Sequence, residues 1–228
     1  IIMAKILVTG GAGFIGSHFL RSLCENKTNQ IFCIDNLFTG SKQNIENLLA
    51  EENFEFITHD VRKPISLDVD KIYNFACPAS PIHYQRDPIN TLTTSVIGTL
   101  NLLELAVKNQ AQFFHASTSE IYGDPEIHPQ HEDYLGNVNP IGIRACYDEG
   151  KRAAETLIYD FKRTKNLKVK VARIFNTYGP NMSFDDGRVV SNFIVNAILN
   201  RDLEIYGDGQ KTRSFCYIDD LISGINIL

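Results

Sequence analysis

Lys5-Ile6-Leu7-Val8-Thr9-Gly10-Gly11-Ala12-Gly13-Phe14-Ile15-Gly16 is the stretch that decides the fold. Its first five residues read as a buried strand that stops at glycine. Gly11-Ala12-Gly13-Phe14-Ile15-Gly16 then satisfies G-x-G-x-x-G, and Gly10, Gly13 and Gly16 recur at every third position. Between a strand and a helix, such a turn lets a pyrophosphate approach backbone N–H groups at the helix N-terminus. A dinucleotide site is therefore expected at Gly10, Gly13, Phe14, Ile15 and Gly16.

Working outward, short β-branched runs at 30–34, 54–58, 71–76, 112–116 and 169–173 read as further strands, with helical patterns at 14–24, 88–110 and 145–164. This alternation implies an α/β fold, a Rossmann-type doubly wound parallel sheet. Asp35, followed by Asn36, ends the second strand, where a carboxylate holds the adenosine ribose hydroxyls and repels a 2′-phosphate, so NAD is expected rather than NADP. Asp60-Val61 after the third strand suits the adenine side. Beyond Pro180 the pattern changes to a polar loop (181–188), a helix (190–200), a short strand (203–205), the turn Gly207-Asp208-Gly209 and a helix from near Asp219. The expectation is an NAD-binding domain over 1–180 and the start of a smaller substrate domain over 181–228. The last helix stops inside an apolar pattern, so that domain is expected to be incomplete, and Ile1-Ile2-Met3 are expected to include residues preceding the natural start.

A formal charge of −5, with Lys and Arg scattered, offers no basic stripe for a phosphate backbone, so nucleic acid is not expected as a partner. No apolar run reaches the roughly twenty residues of a membrane span, and no membrane association is expected. The five cysteines follow neither disulfide nor metal spacing, which suits a reducing cytoplasm. Cys24 and Cys33 read as small core residues, and the histidines lack ligand spacing, so no metal is expected.

Tyr147-Asp148-Glu149-Gly150-Lys151 places a phenol and an ammonium at i and i+4 of a helix, where the cation can lower the phenol's pKa. Alone, this spacing is ordinary for an exposed helix. Thr118 and Glu120 follow the strand at 112–116, at the carboxyl end where open α/β sheets place their chemistry. A Thr118 hydroxyl there can hydrogen-bond a substrate alcohol while Tyr147 takes its proton and Lys151 holds the tyrosinate and nicotinamide ribose. The glycine turn, hydroxyl and Tyr/Lys pair in this order point to an enzyme.

Several blocks carry a closer likeness. They are Ala76-Cys77-Pro78-Ala79-Ser80-Pro81 with His83-Tyr84, Ser117-Thr118-Ser119-Glu120-Ile121-Tyr122-Gly123-Asp124, Cys146-Tyr147-Asp148-Glu149-Gly150-Lys151-Arg152, Arg173-Ile174-Phe175-Asn176-Thr177-Tyr178-Gly179-Pro180, Asp186-Gly187-Arg188-Val189-Val190-Ser191-Asn192-Phe193 and Arg213-Ser214-Phe215. With them the chain resembles the UDP-glucuronate decarboxylase (UDP-xylose synthase) branch of the extended short-chain dehydrogenases. The resemblance implies that the C4 hydroxyl of UDP-glucuronate is oxidised by NAD, with Tyr147, Lys151 and Thr118 catalytic. The C4 ketone then allows CO₂ to leave, Glu120 with Ser119 manages reprotonation at C5, and the ketone is reduced to UDP-xylose. Nucleotide-sugar dehydratases carry an Asp-Glu pair after the Thr, whereas Ser119 stands here in place of the Asp. The resemblance also implies Ala76 at the cofactor, and Pro78, Tyr84, Asn176, Arg188, Tyr206 and Arg213 at the substrate, with the two arginines on its phosphates. A homodimer through the helices at 88–110 and 145–164 is expected too. Asn181, Gln210-Lys211 and Ser95 depart from the family's usual residues. The alternatives are release of the 4-keto pentose, epimerisation, or a non-catalytic protein that binds NAD or a nucleotide sugar.

Overall fold

The computed structural model describes residues 4–205 and 207–228. Six strands form one parallel sheet: β1 (Lys5–Thr9), β2 (Gln30–Asp35), β3 (Phe54–Thr58), β4 (Lys71–Asn74), β5 (Gln112–Thr118) and β6 (Val169–Ile174), in the order β3-β2-β1-β4-β5-β6. The order reverses between β1 and β4, so a crevice opens at their carboxyl ends.

Strand alternation divides the core. Ile6 and Val8 of β1, Ile31 and Cys33 of β2, and Phe114 and Ala116 of β5 pack with Phe19 and Leu20 of α1 (Phe14–Cys24). Leu7, Phe32, Ile34, Ile72 and Phe113 point the other way. They pack with Leu102, Leu103 and Ala106 of α4 (Thr99–Asn109) and Ile158 of α5 (Ala145–Lys165). Each fully buried Leu or Ile among these contributes roughly 1.5–3 kcal/mol.

The expected helix at 88–110 is interrupted. A short α2 (Pro81–Arg86), unforeseen, precedes α3 (Pro88–Thr93), and a π turn over Thr94–Gly98 leads into α4. Asp87 caps α3, accepting the Asn90 N–H at 3.0 Å. Gln110, left-handed at φ 55°, ends α4.

Beyond residue 180, α6 (Val189–Ile198) forms near its expected position, but residues 203–205 form no strand. All three are exposed, and a strand needs a paired neighbour, so the following glycine turn closes no hairpin. Pairing occurs instead between two unforeseen parallel strands, β7 (Asn176–Tyr178) and β8 (Phe215–Tyr217). Finally α7 (Ile218–Ile227) returns to the sheet, and its Ile218, Ile222 and Ile225 join the cluster that holds α1.

Candidate active site

The glycine turn is shaped by close approach. A Cβ on Gly16 would lie 2.3 Å from the Gly10 carbonyl oxygen, and Gly10, at φ +72°, would drive one to 2.6 Å from the backbone of Phe75. Gly13 caps α1 in extended conformation without a side-chain cap, which leaves amide donors at the helix N-terminus for a ligand anion. Phe14, Ile15 and Gly16 line the cleft there.

Asp35 is buried, and its carboxylate accepts the Ala12 N–H at 3.0 Å and the Leu37 N–H at 2.8 Å. Burial raises its pKa while these amides pull it down. The carboxylate thus ties β2 to the glycine turn and keeps lone pairs for ribose hydroxyls. Asp35, Asn36, Val61 and Ala76 line a smaller cavity together with Phe38 and His59, which the sequence did not suggest. Gly10, Gly13, Phe75 and Cys77 line both this cavity and the main cleft, so the two are continuous around the turn. The cradle, the free helix N-terminus and Asp35 together fit a dinucleotide.

Three expected residues sit differently. The Asp60 carboxylate is clamped by the Arg62 guanidinium at 2.5–3.0 Å, which holds its pKa down and leaves the cavity lining to its neighbours His59 and Val61. Pro78 lines the smaller cavity rather than the substrate end. Tyr84 lines the main cleft but is only 1% exposed, its ring stacked on that of Tyr147 and its hydroxyl buried, so in this conformation it backs the Tyr147 ring.

At the opposite end, Thr118, Ser119, Glu120, Tyr147 and Lys151 converge on the main cleft. Thr118 closes β5, and its hydroxyl accepts the Glu120 N–H at 3.2 Å and pulls the pKa of the Tyr147 phenol down. Lys151 donates from Nζ to the Ala116 carbonyl at 2.7 Å. Burial dominates the electrostatics, pushing the Tyr147 phenol up and the Lys151 ammonium down. The expected lowering of the phenol by Lys151 is thus outweighed here; Thr118 and Arg188 are the groups that pull it down. Lys151 keeps two of its three donors for other partners.

Beneath these groups, Asn74 links β1, α4 and β5: it accepts the Thr9 hydroxyl at 2.9 Å and meets Thr99 Oγ1 and His115 Nδ1 at 3.3 Å each. His115 is buried and its pKa lies well below the ordinary value, so it is neutral.

On the substrate side, Asn176 and Arg213 line the cleft, with Asn176 Nδ2 donating to the Ser214 carbonyl at 3.3 Å. Arg188 also lines it, but its guanidinium is bound to Asp186 at 2.5 and 2.8 Å and acts on Tyr147. It therefore stands nearer the reacting end than the phosphate role implied. Tyr206 lies outside the described residues. Among the described residues no group of His, Cys, Asp and Glu could hold a metal ion, and no helix is long and apolar enough to cross a membrane.

Sequence reasoning missed Arg144, which pairs through its guanidinium with the Glu120 carboxylate. Its one sequence signal was a cation at a helix N-terminus, against the helix dipole. The network holding this wall was also illegible. The Ser117 hydroxyl donates to Glu155 at 2.5 Å, Arg173 binds Glu155 at 2.9 Å and Tyr122 at 2.9 Å, and Arg152 donates to the Ile121 and Leu135 carbonyls.

Residues 6–228 match the model of the NAD dependent epimerase/dehydratase family. A UDP-glucuronic acid decarboxylase of Arabidopsis thaliana is 55% identical over 97% of this chain and 65% of its own length. One from Xenopus tropicalis is 54% identical over 97% of this chain and 52% of its own. The chain thus spans about two thirds, or less, of these relatives. Among solved structures, a UDP-glucuronic acid 4-epimerase from Bacillus cereus, in complex with UDP-glucuronic acid and NAD, superposes with a TM-score of 0.86 at 31% identity, covering 97% of this chain and 72% of that one. A dTDP-glucose 4,6-dehydratase from Bacillus anthracis, in complex with NAD, gives 0.85 at 30% identity, covering 99% and 71%.

Proposed function

The chain belongs to the NAD dependent epimerase/dehydratase family, and from that premise we propose that it carries the catalytic centre of an NAD-dependent decarboxylase converting UDP-glucuronate to UDP-xylose. The observation that carries this reading is the convergence of Thr118, Ser119, Glu120, Tyr147 and Lys151 on one cleft. The similarity to UDP-glucuronic acid decarboxylases over 97% of the chain supports it.

When bound along the glycine turn, NAD supplies an acceptor for hydride and later returns it. Thr118 orients the C4 hydroxyl and Tyr147 accepts its proton, which requires positive charge near a phenol that burial otherwise keeps protonated. Arg188 is the cation that pulls the phenol down, and the Lys151 ammonium, anchored by Ala116, keeps two donors to hold the tyrosinate and the nicotinamide ribose. A C4 ketone lies β to the C5 carboxylate, so loss of CO₂ leaves an enolate instead of an unstabilised carbanion. Tyr147 and Thr118 can donate hydrogen bonds to its oxygen, and Glu120 returns a proton to C5. Arg213, with Asn176, serves the uridine and phosphate side.

Mass spectrometry of nucleotide sugars after incubation with UDP-glucuronate and NAD tests this reading. Loss of CO₂ alone is the expected result. Loss of two further hydrogens indicates release of the keto pentose, and an unchanged mass overturns decarboxylation.

A second copy of the chain is the partner that suits the outer face of α3 and the π turn. Ile89 is 75% exposed, and Leu92 and Ile97 are also exposed on that side. Such a four-helix contact with α5 is tested by light scattering of Ile89→Glu, which should be monomeric. The five free cysteines support a cytoplasmic setting, to be checked by cell fractionation.

A further inference from the structure

Arg144 stands at the N-terminal cap of α5, where the helix dipole disfavours a cation, so its position must be fixed by carboxylates. Two are within reach. Its Nη2 pairs with Glu120 Oε2, while its Nε lies 3.8 Å from Asp148 Oδ2, too far for a hydrogen bond. Asp148 has a buried side chain, and its Oδ1 has no hydrogen-bond partner among the described residues. The Tyr84 hydroxyl, whose pKa Arg144 pulls down and Asp148 pushes up, is likewise buried without a well-formed hydrogen bond. A buried carboxylate with an unmet oxygen therefore adjoins a guanidinium that is engaged elsewhere, and leaving such a group unmet is costly.

We propose that Arg144 is a positioning residue shared between two carboxylates, holding Glu120 back while the cleft is open and swinging onto Asp148 when Glu120 turns to the sugar. The inference rests on the decarboxylase reading. A movement on the order of 1 Å brings Nε into hydrogen-bond range of Asp148. One ion pair is exchanged for another, so the two arrangements lie close in energy and substrate can tip them. The step served breaks the bond from C5 to the carboxylate, releases CO₂, leaves the electron pair in the enolate and returns one proton to C5. Asp148 thereby sets how readily Glu120 is free to deliver that proton, without touching substrate itself.

Two measurements test the exchange. In single-turnover kinetics with UDP-glucuronate, Asp148→Asn should leave the first hydride transfer within about twofold of wild type while UDP-xylose formation falls about tenfold and the keto pentose escapes. Adding Arg144→Gln to that variant should restore part of the loss, because nothing then retains Glu120. Equal losses in both steps, or strictly additive effects in the double variant, overturn the proposal. The second measurement is independent of turnover: the Arg144 Nε–H nuclear resonance should shift when UDP-glucuronate is added to wild type but not to Asp148→Asn. An unmoved wild-type resonance overturns the exchange, whereas a shift without any CO₂ release would sink the decarboxylase reading alone.

Discussion

The rings of Tyr84 and Tyr147 lie stacked, their centroids 5.0 Å apart and their planes within 4°. The aromatic residue expected at the sugar is thus the floor on which the Tyr147 ring rests. Cys146 and Cys77 complete this small cluster.

Removing the Tyr84 hydroxyl should be harmless, since burying it without a good partner costs more than it returns. Tyr84→Phe is expected to keep turnover within about threefold and to melt no lower than wild type, whereas Tyr84→Ala should cost about 3–5 kcal/mol and misplace Tyr147. Denaturant melts and turnover on both variants check this.

Tyr147→Phe preserves the stack but has no proton to exchange. Turnover should fall by about 10³-fold or more with NAD affinity nearly unchanged. Calorimetric titration with NAD, run beside the rate assay, separates loss of chemistry from loss of binding.

At Gly16 even one methyl group meets backbone, with 2.3 Å to the Gly10 oxygen and 2.8 Å to Gly11 Cα. Gly16→Ala should therefore open the turn, weakening NAD binding by about a hundredfold and destabilising the chain by about 1–3 kcal/mol. Unchanged affinity would show that the cofactor does not use this cradle.

Glu155 is buried and neutralised by Arg173 at 2.9 Å. Arg173→Met leaves an unpaired buried charge and should cost about 3–5 kcal/mol, and adding Glu155→Leu should recover a large part of it. A thermodynamic cycle from urea melts measures the coupling.

Burial pushes the Asp148 carboxyl up to about 6 from 3.8, with Arg144 opposing the shift. Because the unfolded chain releases this proton at lower pH, the folded state carries the extra proton between those two values. Stability is consequently lost as pH rises through that window, with the full cost present above about 6 and none below 3.8. Residual solvent access reduces the cost, so Asp148→Asn should stabilise by about 1 kcal/mol near pH 8 and by nothing near pH 3. Thermal melts of both proteins across this range give the difference directly.

Much of the architecture was legible because its signals are local. The strands at 5–9 and 54–58 and the helix at 14–24 follow from apolar periodicity and from glycine at one boundary. The strand at 203–205 failed because β structure requires a neighbour, and only folding shows that Asn176–Tyr178 finds its partner in Phe215–Tyr217. At the site, Thr118, Glu120, Tyr147 and Lys151 were legible from short motifs at the ends of regular elements. Arg144 was not, since its partner Glu120 lies 24 residues away and no motif joins them.

The amino-acid sequence by itself determined the doubly wound sheet, the glycine turn with its carboxylate at Asp35 and the Tyr147/Lys151 pair on α5, each encoded within a few residues or by one periodicity. Only the tertiary structure decided which of these groups remain free to act. It turned Tyr84 inward, tied Asp60 to Arg62 and Arg188 to Asp186, buried Tyr147 enough to hold its proton, and set Arg144 between Glu120 and Asp148. The physical reason is that desolvation and charge pairing depend on what surrounds a side chain in space, and those neighbours are assembled from distant parts of the chain.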